Sequence, residues 1–287
     1  MKASFQQRLA ENYGDLSPRL REAGDYIVAN PLDAATRSLR TVATESRIAP
    51  ASFSRLSRAL GYNSFEDLRE SMRHQLGRQV STFAARAEGL RQSKDEAAED
   101  LVTRARNLCH SNLNALAATI STEQIEAAAA QLHDARKVVV LGALGSTGIA
   151  EYAGYMANFL GANWVLAGRM GASIGSALCD LDARDVLLVI TKPPFARVSI
   201  RAAQTAREQG ARVIVITDSH ACPALRVAQT HFIVPGDSPN FFTSYVGTVF
   251  LLETLIAMVA RKSGPEATER IAEIERHNRA LEEVLDL

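Results

Sequence analysis

The sequence predicts an α/β chain in two parts: an all-α amino-terminal domain, then a three-layer α/β/α domain on a five-stranded parallel sheet. Two observations predict it. Up to about residue 134 apolar residues recur at spacings of three and four, as in Leu16, Leu20 and Ile27 and again in Leu56, Leu60, Phe65, Leu68 and Met72, with no alternating strand pattern. Beyond Arg136 short runs rich in Val and Ile appear at intervals, at 138–141, 164–167, 186–190, 213–216 and 232–234, separated by helical-length segments such as 148–160 and 198–209. Strands that do not alternate and are spaced by helices are those of a parallel sheet covered on both faces.

Composition excludes several classes. With 47% hydrophobic and 22% charged residues and 32 basic against 32 acidic side chains, the 287-residue chain has the means to build a core and no net charge to oppose it. Cys109, Cys179 and Cys222 lie far apart, which supports neither a disulfide framework nor a zinc site; no metal and no cofactor are expected. The opening residues lack a signal peptide's apolar core, and the apolar stretch 245–260 is interrupted by Glu253 and too short to span a bilayer, so a buried helix, a cytoplasmic protein and no membrane partner are expected.

The elements of the first part follow from local chemistry. Ser38 can cap a helix running to about Ser46, a short turn follows at 47–49, and Pro50 suits the first turn of a second helix because its missing N–H costs nothing there. Gly61 stops that helix in a left-handed conformation, and Ser64 with Asp67 forms a capping pair for the next. Two short helices joined by a tight turn give a helix-turn-helix. On the second helix Phe53, Leu56 and Leu60 face inward, leaving Ala51, Ser52, Ser54, Arg55 and Arg58 outward with Arg47 at the turn. Small residues allow close approach to a major groove, and arginines reach guanine edges or phosphates. A helical hairpin with a solvated polar face fits the same pattern. Residues 1–80 carry a net charge of +3, and 37–65 hold five arginines against Glu45 alone.

In the second part a strand ending at Leu141 runs into Gly142, Gly145, Ser146, Thr147 and Gly148 at the start of a helix. Unpaired N–H groups at such a turn form an anion site, although glycines there also serve close packing. The glycine spacing is not G-x-G-x-x-G, so a dinucleotide is not expected. The third strand ends at Thr191, Lys192, Pro193, Pro194, Phe195, Ala196 and Arg197, and the fourth at Thr217, Asp218, Ser219 and His220. If the first and third strands are neighbours, Ser146 and Thr191 face one crevice at the carboxyl ends of the sheet. Gly145, Ser146, Thr147, Thr191, Lys192, Arg197 and Ser219 are the candidate ligand residues, with Lys192 and Arg197 either supplying charge or standing as exposed cations.

Residues 39–43, 48–62 and 64–69, with Leu16-Ser17-Pro18-Arg19 and Ala29-Asn30-Pro31 before them, resemble the amino-terminal domain of RpiR transcriptional regulators. The 142–146 turn, the 185–191 strand, the 206–211 helix exit and 215–218 followed by Cys222-Pro223 resemble the SIS (sugar isomerase) domain that follows it in that family. The resemblance implies a winged or plain helical DNA-binding domain used as a dimer on an operator, and a sensor of phosphosugars or related metabolites. It also exposes a departure: where the family has S-x-S-G-x-T, this chain keeps one hydroxyl, Thr191, and two prolines remove backbone donors.

The expected organisation is a helix-turn-helix domain at 1–80, a helical linker at 81–119, a SIS-type domain at 120–264 and a carboxyl-terminal helix at 265–287. The expected function is regulation of transcription, with double-stranded operator DNA, a sugar, sugar acid or sugar-phosphate effector and a second copy of the chain as partners. Apolar positions Ile271, Ile274, Leu281, Val284 and Leu287 offer self-association surface or internal packing. No catalytic residue is expected. An isomerase with an accessory helical domain is the alternative, with Glu151, His220, His231 or Glu253 as base, and a metabolite-binding oligomer acting on a protein partner is the third reading.

Overall fold

The computed structural model describes residues 5–80, 82–92, 98–169 and 171–285, apart from the side chains of 6–7, 10–11, 32, 73–80 and 98–99. The chain forms two compact units, one of Met1–Thr119 with Asp237–Thr243 and one of Ile120–Gly236 with Ser244–Leu287.

The first unit is helical: α1 (Phe5–Asn12), α2 (Pro18–Ala29), α3 (Pro31–Thr36), α4 (Leu39–Ser46), α5 (Pro50–Ala59), α6 (Phe65–Val80), α7 (Phe83–Gln92) and α8 (Ala98–Thr119). Among the described residues no strand precedes Val138, so of the two forms the resemblance allowed this is the plain one, without a wing. Its core is the inward set expected from spacing. Phe53, Leu56 and Leu60 are buried with Ile27, Val42, Phe65 and Leu68, and Phe53 meets Tyr26 and Phe65 edge-on at 6.2 and 6.0 Å. Residues 93–97 of the expected linker, between α7 and α8, lie outside the described residues. Segment Asp237–Thr243 folds with this unit through reciprocal bonds between the Asn112 amide and the Asp237 backbone, and Phe242 stacks on Phe83 at 4.4 Å.

The second unit contains α9 (Thr122–His133), β1 (Val138–Gly142), α10 (Thr147–Asn158), β2 (Trp164–Leu166), α11 (Ile174–Leu178), β3 (Val186–Ile190), α12 (Arg197–Glu208), β4 (Arg212–Thr217), β5 (Thr230–Ile233), α13 (Val246–Lys262) and α14 (Gly264–Ala280). The five strands are parallel in the order β2-β1-β3-β4-β5. Helices α11 and α12 cover one face, where Ala202, Ala203 and Ala206 pack on Val189, Val213 and Val215; α9, α10 and α13 pack together on the other. The three-layer α/β/α expectation therefore holds. Asp185, fully buried before β3, ties the amino ends of the strands by accepting from Arg136 Nε at 3.0 Å, Arg136 Nη2 at 2.6 Å and the Asp182 N–H at 2.7 Å.

The last helix is shorter than its apolar spacing suggests. It ends at Ala280, where Glu282 turns left-handed (φ 57°) and the Glu283 N–H donates to Asn278 O at 2.9 Å, so Leu281 and Val284 lie beyond the helix and are exposed. Leu287 is outside the described residues.

Candidate functional site

In the helical unit the turn between α4 and α5 is made by named local interactions. The Ser38 hydroxyl accepts the Thr41 N–H at 3.2 Å to start α4. Arg47 closes it in the left-handed region (φ 57°), and the Ile48 N–H reaches back to Ala43 O at 3.2 Å. A buried Ile48 anchors the exit and Pro50 opens α5. At the far end Gly61 is left-handed (φ 76°), and Arg8 Nη1 donates to Leu60 O at 2.9 Å and Gly61 O at 3.1 Å, placing a cation at the negative end of α5.

The outward face of this pair carries Arg47, Ala51, Arg55 and Arg58, all exposed, with Ser52 and Ser54 half-buried. The arginines divide into two groups. Arg37, counted in the basic patch on sequence, is held by Asp33 and Glu45, and Arg69 by Glu66. Among the described residues Arg47, Arg55 and Arg58 have no ion pair, so their charge faces solvent.

In the α/β unit β1 and β3 are adjacent, although the chain visits β2 on the opposite side between them. That makes their carboxyl ends the point where strand order reverses, the crevice-forming position of such sheets. Gly142 is required there: a Cβ would stand 2.3 Å from Ser146 O and 2.7 Å from the Ala150 Cβ, so close packing of the turn is one reason for the glycine. Ser146 is the N-cap of α10 and Tyr245 the N-cap of α13. Neither caps its own helix by side chain; their hydroxyls bond each other at 2.9 Å. Two helix amino ends thus meet through this bond, and Lys192 contacts the second of them.

Lys192 is not an exposed loop cation: its residue exposure is 5%. Its ammonium donates to Ser244 O at 2.9 Å and sits 4.7 Å from the centre of the Tyr245 ring. Burial pulls its pKa down to about 8, against the opposing pull of the Asp218 carboxylate. Burial likewise raises Tyr245, partly offset by its bond to Ser146.

The other expected ligand residues are placed differently. Thr191 is buried and its N–H continues the sheet to Ile216 O at 3.0 Å. Thr147 is half-buried and Gly145 exposed at the α10 turn, whereas Arg197 is exposed at the start of α12. The Ser219 hydroxyl accepts the Ala221 N–H at 3.2 Å within its own turn. Sequence reasoning misses Ser244 and Tyr245, because they lie about a hundred residues from Ser146, the first just before and the second at the start of the apolar stretch 245–260 that reads as a buried helix. Their one signal is a tyrosine at the opening of that helix.

Of the possible bases, Glu151 accepts from Arg169 at 2.7 Å and Glu253 from the Tyr152 hydroxyl at 2.7 Å; His220 and His231 are exposed. Among the described residues no group of His, Cys, Asp or Glu is arranged to hold a metal ion, and no helix is long and apolar enough to cross a membrane.

An arginine-faced helix-turn-helix in one unit and a doubly wound parallel sheet with polar residues at its switch point in the other define a two-domain protein. Residues 131–258, which span all five strands of the α/β unit, match the SIS domain. Over 88% of its length the chain is 22% identical to an uncharacterized HTH-type transcriptional regulator of Caldanaerobacter subterraneus subsp. tengcongensis, covering 89% of that protein. A second such regulator, from Clostridium perfringens, is 22% identical over 86% of this chain and 88% of its own. Among solved structures, the sugar isomerase domain of an RpiR transcription factor from Sphaerobacter thermophilus matches 61% of this chain and 98% of its own at 24% identity and a TM-score of 0.57. The Vibrio vulnificus NanR protein, solved with ManNAc-6P, matches 97% of this chain and 99% of its own at 19% identity and a TM-score of 0.55, a likeness of fold. These matches bear out the resemblance to RpiR regulators.

Proposed function

We propose that this chain is a cytoplasmic transcriptional regulator: its helix-turn-helix binds operator DNA, and its SIS domain binds a small sugar-like metabolite that modulates that binding. The observation that carries the reading is the row of solvent-facing arginines, Arg47, Arg55 and Arg58, on the second helix and turn of a helix-turn-helix, while Arg37 and Arg69 beside them are neutralised by acids. The regulators it is similar to and NanR's solved complex with ManNAc-6P support both halves of the reading. The crevice of Ser146, Lys192 and Tyr245 is the effector site in this account, with Gly145, Thr147 and Thr191 around it; Arg197 and Ser219 belong to its outer wall.

The chain acts without catalysis in this reading. None of Glu151, Glu253, His220 and His231 bonds to Ser146, Lys192 or Tyr245 among the described residues, and two of the four are engaged elsewhere. Self-association supplies the second reading helix. Tyr152 and Tyr155 on α10 and Val246 and Phe250 on α13 are exposed and suit a pairing surface. The effector works by preferring one arrangement of the pair, since a ligand with equal affinity for both shifts nothing.

The test is DNA binding by Arg55→Ala and Arg58→Ala. Each should weaken specific binding by about 5- to 100-fold, on the order of 1–3 kcal/mol, with the melting temperature unchanged. Wild-type affinity in both variants would remove this helix from the reading role.

A further inference from the structure

Ser146, Lys192, Ser244 and Tyr245 form a cluster whose chemistry narrows the ligand class. Lys192 carries three N–H donors in a nearly dry position; its described hydrogen-bond partner is one carbonyl, Ser244 O, with the face of the Tyr245 ring beside it and the Asp218 carboxylate acting on its charge. A buried ammonium so thinly bonded is costly unless something completes it, and an anionic oxygen is the natural partner. The helix ends on either side add to the attraction. Ser146 and Tyr245 spend their hydroxyls on each other and not on the first turns of α10 and α13; the α10 end has no cap from its N-cap side chain, and at α13 the Ser244 hydroxyl takes one N–H, that of Val246, at 3.3 Å.

The same inventory argues against a phosphate group. A phosphate cradle needs several convergent donors for three oxygens, yet the loop after β3 keeps a single side-chain hydroxyl, that of Thr191, and lacks the N–H groups of two prolines. Thr191 gives its N–H to the sheet, Pro193 and Pro194 have none, and Phe195 and Ala196 have no donating side chain. Charge points the same way. Two half-charges from the helix ends and one from Lys192 are opposed by Asp218, which acts on both Lys192 and Tyr245, leaving about one net positive charge. That balance suits a monoanion.

Resting on the sensor reading above, we propose that the SIS crevice binds an unphosphorylated sugar acid, its carboxylate on the Lys192 ammonium and its hydroxyls on Ser146 and Tyr245. The carboxylate takes the two unfilled donors of Lys192, and the paired hydroxyls of Ser146 and Tyr245 exchange their mutual bond for bonds to the sugar.

The test is isothermal titration of the full chain at pH 7 with three panels: hexonates, hexuronates and 2-keto-3-deoxyaldonates; their 6-phosphates together with ManNAc-6P; and neutral hexitols. At least one unphosphorylated acid is expected to bind more tightly than every phosphate and hexitol. Lys192→Met should lose that binding by 100-fold or more, and Tyr245→Phe, a gentler change, by about 5-fold, with circular dichroism and DNA affinity of the free protein unchanged. Tighter binding of a phosphate than of any acid overturns the sugar-acid assignment and leaves the regulator reading standing. Undiminished acid binding in Lys192→Met overturns the role of Lys192. If no compound in any panel binds while specific DNA binding persists, the crevice assignment fails but the DNA-reading half does not.

Discussion

Arg47 does two opposed things, and replacing it should separate them. Its backbone is left-handed at φ 57° and ends α4, so an ordinary side chain there costs about 1–2 kcal/mol. Glycine removes that strain and costs about 0.5–1 kcal/mol in chain entropy, so Arg47→Gly should gain about 0.5–1 kcal/mol. In a unit of this size that raises the melting temperature by about 2–6 °C. The same change removes a solvent-facing guanidinium beside α5. It should weaken DNA binding by about 5- to 30-fold and flatten the dependence of log K on log salt by about 0.9. Arg47→Ala is the control: it loses the charge but keeps the strained backbone, so DNA affinity falls equally without a gain in stability. Thermal unfolding by circular dichroism and fluorescence anisotropy on a labelled duplex at two salt concentrations read both effects. An unaltered affinity and salt slope in Arg47→Gly would refute the placement of Arg47 on the DNA face, and an unaltered melting temperature would refute the strain.

Other perturbations have equally definite signs. Gly142→Ala should destabilise the SIS domain by about 1–3 kcal/mol and abolish effector binding, because the added carbon overlaps Ser146 O; a melting temperature and titration equal to wild type would contradict the packing. Lys192 is charged at a cost. Its folded pKa of about 8 lies below the ordinary value of 10.5, so the unfolded chain binds more protons between those values and stability rises with pH through that window. Lys192→Met should therefore stabilise the SIS domain at pH 7, by roughly 1–3 kcal/mol, and flatten that rise, as denaturant melts from pH 7 to 10 would show. Burial alone would raise the Asp185 carboxyl, but the Arg136 guanidinium and the Asp182 N–H hold it below the usual range. It adds stability above about pH 4 that is lost as pH falls further. Asp185→Asn should cost about 1–2 kcal/mol at pH 7 and lessen the acid sensitivity, a difference checked by melts between pH 3 and 7.

What could be read in the sequence was local or periodic. Ser38, Pro50 and Gly61 announce the helix-turn-helix because a cap, a first-turn proline and a left-handed glycine act within four residues of where they stand. Strands β1, β3 and β4 announce themselves as apolar runs because both faces are covered. The apolar run marks β5 only from Phe232, because it is an edge strand whose first residues, Thr230 and His231, are polar while pairing with Ile214 and Val215. Apolar spacing carries the carboxyl-terminal helix too far, because Leu281 and Val284 keep it past the point where the backbone turns. The candidate site was half visible: the Ser146 turn and the Lys192 loop follow strands, but nothing local marks Lys192 as buried, since its burial depends on Ser244 and Tyr245, over fifty residues away. Arg37 departs in the opposite sense, for Asp33 and Glu45 neutralise it once α3 and α4 are folded.

DNA reading by the helical unit is the part of the proposed function on which the rest depends. The most direct measurement is binding of the purified chain to duplex DNA from just upstream of its own coding region, at two salt concentrations, against a scrambled duplex of equal length. The account predicts tight binding that resists the scrambled competitor and weakens steeply with salt as arginine–phosphate contacts release counterions. Binding no tighter than to the scrambled duplex, there and across fragments from the adjoining operons, would contradict it.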